Sequence, residues 1–330
     1  MSEDQLEAPA SDNYPQLDAK NTDRKLSQYY SNSFSRYSDF KPLGKGGSAL
    51  LRSCLDGNLG RTIVMKTLHP HLAQNEYMRA RFLREARVTA QLQHPATVPV
   101  YEIGHDIEGR LYFTMKKVEG ETLREILERQ CSGDEQAIAT YNLDRMLGLL
   151  IQVCNALSYA HAHGVVHRDV KPENIQIGSF GEVMLLDWGV AKVWSSNDPD
   201  LPEIEHEILT DVGQRPGTPL YMSPEQIRGG GEEIDERTDI YGIGVVLYEM
   251  LTLKEPHRGE NINETFEMIL KEDTIPPETR TPKRQVPKQL SAITMKALEK
   301  DPANRYQTMA ELIYALRDFR SRVFQSHTED

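Results

Sequence analysis

Cysteine is scarce in this chain: Cys54, Cys131 and Cys154 are odd in number, far apart, and include no Cys-x-x-Cys pair. That excludes a disulfide framework and a cysteine-rich zinc module, and it suits a reducing, cytoplasmic setting. Positive charge is short as well, since 38 Lys and Arg against 50 Asp and Glu leave a formal net charge of -12. A field of that sign repels phosphate backbones and anionic lipid, so no nucleic acid and no membrane surface is expected as partner. No stretch approaches the roughly 18 apolar residues that a bilayer span requires, and the acidic start lacks the basic and apolar regions of an export signal. There is no internal repeat and no long low-complexity block.

What is present is an ordinary globular balance. The 330 residues are 38% hydrophobic and 27% charged, enough to bury one large core or two adjoining ones. Residues 1–36 are polar, carry scattered prolines and show no periodicity, which reads as a flexible tail. Tyr29, Tyr30, Phe34 and Tyr37 near its end could instead dock on the folded body. Strand-like runs follow at 37–43, 50–55, 62–68, 97–103 and 111–118, interrupted by one amphipathic helix over 75–93 with Phe82, Leu83, Ala86 and Leu92 on its apolar stripe. Beyond Gly120 the period becomes helical: Leu147, Leu150, Ile151, Cys154 and Leu157 recur at three- and four-residue steps, and 240–251 is apolar nearly all round. Thr308 and Glu311 predict a capping box for a last helix.

Four blocks carry chemistry. Leu43-Gly44-Lys45-Gly46-Gly47-Ser48-Ala49-Leu50 lies between two strands, where glycines let backbone N–H groups close over polyphosphate; alone, it is equally a glycine-rich hairpin. Thr62-Ile63-Val64-Met65-Lys66 puts one lysine in an apolar strand, and Glu85 on the following helix is its natural partner; alone, Lys66 is a solvated strand residue. His167-Arg168-Asp169-Val170-Lys171-Pro172-Glu173-Asn174 matches the pattern H-R-D-x-x-x-x-N at every fixed position, and Asp187-Trp188-Gly189 follows at a suitable distance. In that pattern Asp169 can accept a hydroxyl proton, Lys171 adds positive charge, and Asn174 and Asp187 converge on metal ions. His161, His163 and His167 also crowd together, but packing and hydrogen bonding account for them better than zinc does. Cys54 reads as a small buried hydrophobe, with a place facing nucleotide as the alternative.

Taken together, the chain resembles the eukaryotic-like serine/threonine protein kinases of bacteria over residues 37–322. Supporting landmarks are His94-Pro95, the run from Gly217, Thr218 and Pro219 to Glu225, Asp239 ahead of Tyr241-Gly242-Ile243-Gly244, and Arg305. The resemblance implies an α+β, bilobal protein-kinase-like fold: a small antiparallel sheet lobe over 37–115, then a hinge and larger helical lobe over 116–322, with a short tail at 323–330. It implies phosphate transfer from ATP to Ser and Thr hydroxyls, with Mg²⁺ as cofactor and Mn²⁺ as a substitute. Asp169 would be the base, assisted by Lys171, with Lys66 and Glu85 as the internal ion pair. Nucleotide contacts would come from Leu43, Gly44, Lys45, Gly46, Gly47, Ser48, Ala49, Leu51, Val64, Lys66, Met115, Lys116, Val118 and Asn174. Metal would sit on Asn174 and Asp187. Glu225 would pair with Arg305, and Asp239 would anchor the catalytic loop.

Three departures from the family pattern stand out: Ala49 for the third glycine, Trp188 for phenylalanine, and Lys116 for an acidic hinge residue. None removes a catalytic group. The acidic segment between Asp187 and Glu225 resembles an activation loop, with Thr210 as the preferred phosphorylation site, Ser195, Ser196 or Thr218 as alternatives, and Arg168 as the phosphate's partner. Expected partners are ATP, protein substrates and a second copy for phosphorylation in trans. A scaffold without activity and a small-molecule kinase are the competing functions; the first is opposed by the intact Lys66, Asp169, Asn174 and Asp187, the second by the peptide-docking character of 217–225.

Overall fold

The apolar alternation of the first hundred residues does form strands: β1 (Tyr37–Lys45), β2 (Ala49–Asp56), β3 (Arg61–Leu68), β4 (Val100–His105) and β5 (Leu111–Lys116), in the antiparallel order β1-β2-β3-β5-β4. The computed structural model describes residues 33–45, 48–189, 191–193, 219–229 and 234–325. Helix α1 (Glu76–Gln91) crosses between β3 and β4, its first turn capped by Asn75, whose side chain accepts the Met78 N–H at 3.0 Å. Because side chains alternate along a strand, the sheet builds two cores. On one face Ala49, Leu68, Leu111 and Phe113 pack with Phe82 and Ala86 of α1. On the other, Tyr37, Cys54, Ile63, Met65 and Tyr112 form a cluster closed by Phe34 and Phe40.

That second cluster corrects the tail boundary. Phe34–Arg36, expected as the end of a flexible tail, is a 3-10 turn whose Phe34 ring lies 5.3 Å from that of Tyr112, while Arg36 donates to Glu102 at 2.7 Å. Burying two aromatic faces against an otherwise exposed sheet is sufficient reason for it to dock. Residues 1–32, with Tyr29 and Tyr30, lie outside the described residues. The strand expected over 97–103 also divides. Thr97 bridges to Leu185, and β4 starts only at Val100, because Pro99 has no N–H for a ladder; its carbonyl instead accepts the Lys116 N–H at 3.0 Å.

After β5 the chain turns through Gly120, whose φ of 126° and close approach to the Ile177 carbonyl leave no room for a side chain. The larger part then comprises β6 (Glu121–Thr122), α2 (Leu123–Cys131), α3 (Glu135–Thr140), α4 (Leu143–Ala162), β7 (Val165–Val166), β8 (Ile175–Ile177), β9 (Val183–Leu185), β10 (Lys192–Val193), α5 (Pro224–Arg228), α6 (Glu236–Thr252), α7 (Ile262–Lys271), α8 (Pro277–Arg280), α9 (Lys288–Ala297) and α10 (Met309–Arg320). Every residue of α6 from Thr238 to Thr252 is buried, as its all-round apolar sequence predicts. The stripe of α4 packs against α6 and α10 in the same core, where each fully buried leucine contributes about 2 kcal/mol. Thr308 caps α10 by accepting the Glu311 N–H, but Glu311 reaches back to Gln307 rather than Thr308, so the capping box is only half made. Beyond α10, Ser321–Gln325 adds a π turn, and the rest of the expected tail lies outside the described residues.

Candidate active site

The site lies where β3, α1 and the loops around β8 and β9 converge. Val64, Lys66 and Leu68 share the α1-facing side of β3, and Lys66 Nζ lies 2.5 Å from Glu85 Oε1 on α1 and 3.9 Å from Asp187 Oδ1. Burial pulls the Lys66 ammonium down, but the two carboxylates outweigh it and hold its pKa above the usual lysine value. Lys66 is in turn the main reason that the Asp187 carboxyl sits below the usual aspartate range. Asp187 is 48% exposed at the side chain although its neighbours are buried. Its backbone, and that of Arg168, adopts the left-handed region with φ of 61° and 70°. A side chain at Gly189 would come within 2.9 Å of Asp187 Oδ1 and 3.1 Å of Glu85 Oε2, so a substitution there crowds the ends of both carboxylates.

The loop after β7 is held from beneath. Asp239 on α6 accepts the backbone N–H groups of His167 and Arg168, each at 2.8 Å, with His161 Nε2 2.7 Å away. Burial alone would raise its carboxyl; these donors and the His167 ring hold it below its usual value. His167 Nδ1 accepts the Asp169 N–H, which leaves Nε2 to donate to the Leu186 carbonyl, and the ring stands edge-on to buried Trp188 at 4.5 Å. The three histidines thus have hydrogen-bonding roles, and among the described residues no group of three or more metal-ligating side chains gathers.

Asp169 receives Lys171 Nζ at 2.6 Å and Asn174 Nδ2 at 3.1 Å on one oxygen. Burial pushes its carboxyl up, and Lys171 offsets this only in part. Both amide hydrogens of Asn174 point at Asp169, and its side-chain Oδ1 receives no donor from the described residues. A free amide oxygen and an exposed carboxylate make an all-oxygen set that fits a hard divalent cation. At the hinge, the Val118 N–H likewise has no protein acceptor among the described residues, which fits a purine edge.

Other predicted contacts are placed unevenly. Leu43 is exposed at the mouth and Gly44 opens on free space, while Leu51, Met115, Lys116 and Val118 are half-buried and Val64 is buried on the cleft side of the sheet. Ser48 accepts the His69 N–H on its carbonyl. Ala49 is fully buried, its methyl packed in the core of Leu68 and α1. Cys54 lies on the far face of the sheet, where burial pushes its thiol up to about 11, so it does not face the cleft. The Lys45 side chain, Gly46, Gly47, Ser195, Ser196, Thr210 and Thr218 lie outside the described residues.

Glu225 and Arg305 form two bonds of 2.8 Å, with side chains 1% and 0% exposed, and Gln226 Nε2 donates to the Arg168 carbonyl at 2.8 Å. The segment 219–225 is thereby fixed against the loop that bears Asp169. One cluster escaped the sequence reading. Arg124, in the first turn of α2, binds Glu173, Glu249 and Tyr221 together beside that loop.

A family model of the protein kinase domain matches residues 37–314. The serine/threonine-protein kinase PknD of Protochlamydia amoebophila is 37% identical over 294 residues, covering 86% of this chain and 30% of that protein. Those of Chlamydia caviae and Chlamydia trachomatis serovar D are 36% identical over 295 residues and 35% over 300, with 84% and 86% of this chain and 30% and 31% of theirs covered. The chain therefore spans under a third of the length of these relatives.

Proposed function

The chain belongs to the protein kinase domain family, and from that premise we propose that it transfers the γ-phosphate of ATP to serine and threonine hydroxyls of proteins, its own included. Use of ATP and a divalent metal goes with the family. The observation that carries the reading is the convergence of five groups from three segments of the chain: Lys66 against Asp187 at 3.9 Å, and Lys171 and Asn174 against Asp169 at 2.6 and 3.1 Å.

Each group has a task its surroundings support. Asp169 accepts the proton of the attacking hydroxyl, and Lys171 beside it holds positive charge near the transferred group. Lys66, oriented by Glu85, would hold the α- and β-phosphate oxygens, and the hinge at Lys116 and Val118 the adenine. Asn174 and Asp187 would hold Mg²⁺, or Mn²⁺ in its place; when bound, the metal neutralises charge between the phosphates. Because phosphoryl transfer asks chiefly for positioning and electrostatic stabilisation, no covalent nucleophile is needed. The docking of 219–225 onto the Arg168 carbonyl through Gln226 supports a protein rather than a small-molecule acceptor.

Free cysteines, two of them buried, support a cytoplasmic setting, and no described helix is long and apolar enough to cross a membrane. Control is proposed to run through Thr210, with Ser195, Ser196 and Thr218 as alternatives: a phosphate there forms charge-assisted bonds to Arg168, and self-association delivers it in trans. Incubation with ATP and Mg²⁺ followed by mass spectrometry should find phosphate on serine and threonine only, with Thr210 among the sites. A protein that gains no phosphate and labels no protein substrate would end this reading.

A further inference from the structure

The larger lobe contains a cavity of about 160 Å³ that phosphate transfer does not use. It lies between the end of α2, the first turn of α4, the end of α6 and the turn at 284–287 that leads into α9. Leu143 and Met146 of α4, Met250 and Leu251 of α6, and Val286 make its apolar walls, and all but Leu143 are buried. An apolar void of that size holds one benzene ring. Two of the walls are methionines, whose flexible chains adapt to flat rings and whose sulfur is attracted to them. Leu251 is twelve residues beyond Asp239 along α6, so the cavity is about 18 Å from the anchor of the catalytic loop.

A guanidinium stands at the mouth. Arg284 is exposed overall, but its Nε donates to the Leu251 carbonyl at 2.8 Å, which holds the group against the cavity wall. Its terminal nitrogens have no acceptor among the described residues. Partial burial pulls its pKa below the usual arginine value, and only the Cys131 thiol acts in the other direction, so no carboxylate neutralises it. Gln130, also on the lining, is already committed, since its Nε2 donates to the Tyr141 carbonyl at 2.8 Å. The surrounding run 280–288 adds Arg280, Lys283 and Lys288 and no acidic residue, in a chain whose net charge is -12. A planar fork with free N–H donors beside a ring-sized apolar void is matched by a carboxylate on a flat apolar body.

We infer that this cavity is a binding site for a small aromatic carboxylic acid, with the ring among Met146, Met250 and Val286 and the carboxylate on the terminal nitrogens of Arg284. The volume limits the apolar body to a single ring. Charge sets the selectivity: a neutral amide of the same shape fills the void but leaves the guanidinium without a counter-charge, and an acid without a ring pairs with the guanidinium but leaves the void unfilled. The site stands apart from the ATP cleft, so it exists whether or not the protein transfers phosphate.

The test is isothermal titration of the full chain with benzoate, benzamide, acetate and N-acetylphenylalanine, in the presence of Mg²⁺ and excess non-hydrolysable ATP analogue to block the cleft. Benzoate should bind with a dissociation constant on the order of 0.1–1 mM, and benzamide and acetate at least about tenfold more weakly, since each keeps only half of the match. Arg284→Met should weaken benzoate at least about tenfold and abolish its preference over benzamide. Val286→Phe fills the cavity with Arg284 still in place and should abolish benzoate binding. If Val286→Phe does not fold, a wild-type crystal soaked in 4-bromobenzoate gives the same answer, with the bromine expected between Met146 and Met250. Failure of the wild type to bind benzoate, unchanged binding by Arg284→Met or by folded Val286→Phe, or bromine located elsewhere would overturn the inference. Tighter binding of N-acetylphenylalanine than of benzoate would overturn it too, in favour of a peptide C-terminus as occupant.

Discussion

Replacing Asp169 by asparagine should lower phosphate transfer by at least about a hundredfold, the usual cost of losing a general base. Asparagine keeps the shape and can still accept from Lys171 and Asn174, so what disappears is the capacity to take a proton. The same carboxyl should set the acid limb of kcat/KM against pH. Burial raises its pKa and Lys171 offsets that only in part, so the limb should lie above the ordinary aspartate value of about 3.9, with activity falling as pH drops through it. The sign for stability is the reverse of the usual carboxylate case. A carboxyl whose folded pKa is raised costs stability once pH exceeds the unfolded value, so Asp169→Asn should melt no lower than wild type at pH 7. Equal transfer rates from the two proteins would contradict the assignment; a melting temperature far below wild type would contradict the electrostatic account of Asp169.

Replacing Arg305 by methionine should destabilise the larger lobe by about 3–5 kcal/mol, because it leaves Glu225 buried without its counter-charge. Arg305 makes two bonds of 2.8 Å to Glu225 and also donates to the carbonyls of Glu299, Arg237 and Lys300. Burial pushes the Glu225 carboxyl up, and the guanidinium more than reverses this, so the glutamate is held ionised inside the protein. The melting temperature should fall by on the order of 10 °C in a thermal scan. Adding Glu225→Gln should recover part of the loss, since the uncompensated charge then goes as well. Because Glu225 closes the segment that Gln226 docks on the Arg168 carbonyl, activity on proteins should fall at temperatures where the variant is still folded. A shift of only a degree or two would show the pair to be dispensable.

How much of this was legible in the sequence follows from the kind of constraint on each residue. The loop from His167 to Asn174 was readable because the chemistry fixes residue type and spacing over a few positions, and α6 because a helix buried on all sides leaves no polar face. The start of β4 was misplaced because the apolar run continues through Pro99, and only the ladder shows that it cannot pair there. Phe34 looked like tail because its partners Tyr112 and Phe40 belong to a sheet face assembled later in the chain. The Arg124 cluster was invisible for the same reason, magnified: its partners are 49, 97 and 125 positions away, and each alone looks like a surface charge or a core tyrosine. A glutamate inside the apolar run of α6 was the one available signal, since buried carboxylates need partners.

Everything turns on whether Lys66, Asn174 and Asp187 surround one metal-bound nucleotide, and a crystal structure with a non-hydrolysable ATP analogue and Mg²⁺ addresses that directly. The account predicts the cation on the Asn174 amide oxygen and the Asp187 carboxylate, Lys66 Nζ on the inner phosphates, and the base against the Val118 N–H. Nucleotide bound elsewhere, or a cation that touches neither Asn174 nor Asp187, would contradict it.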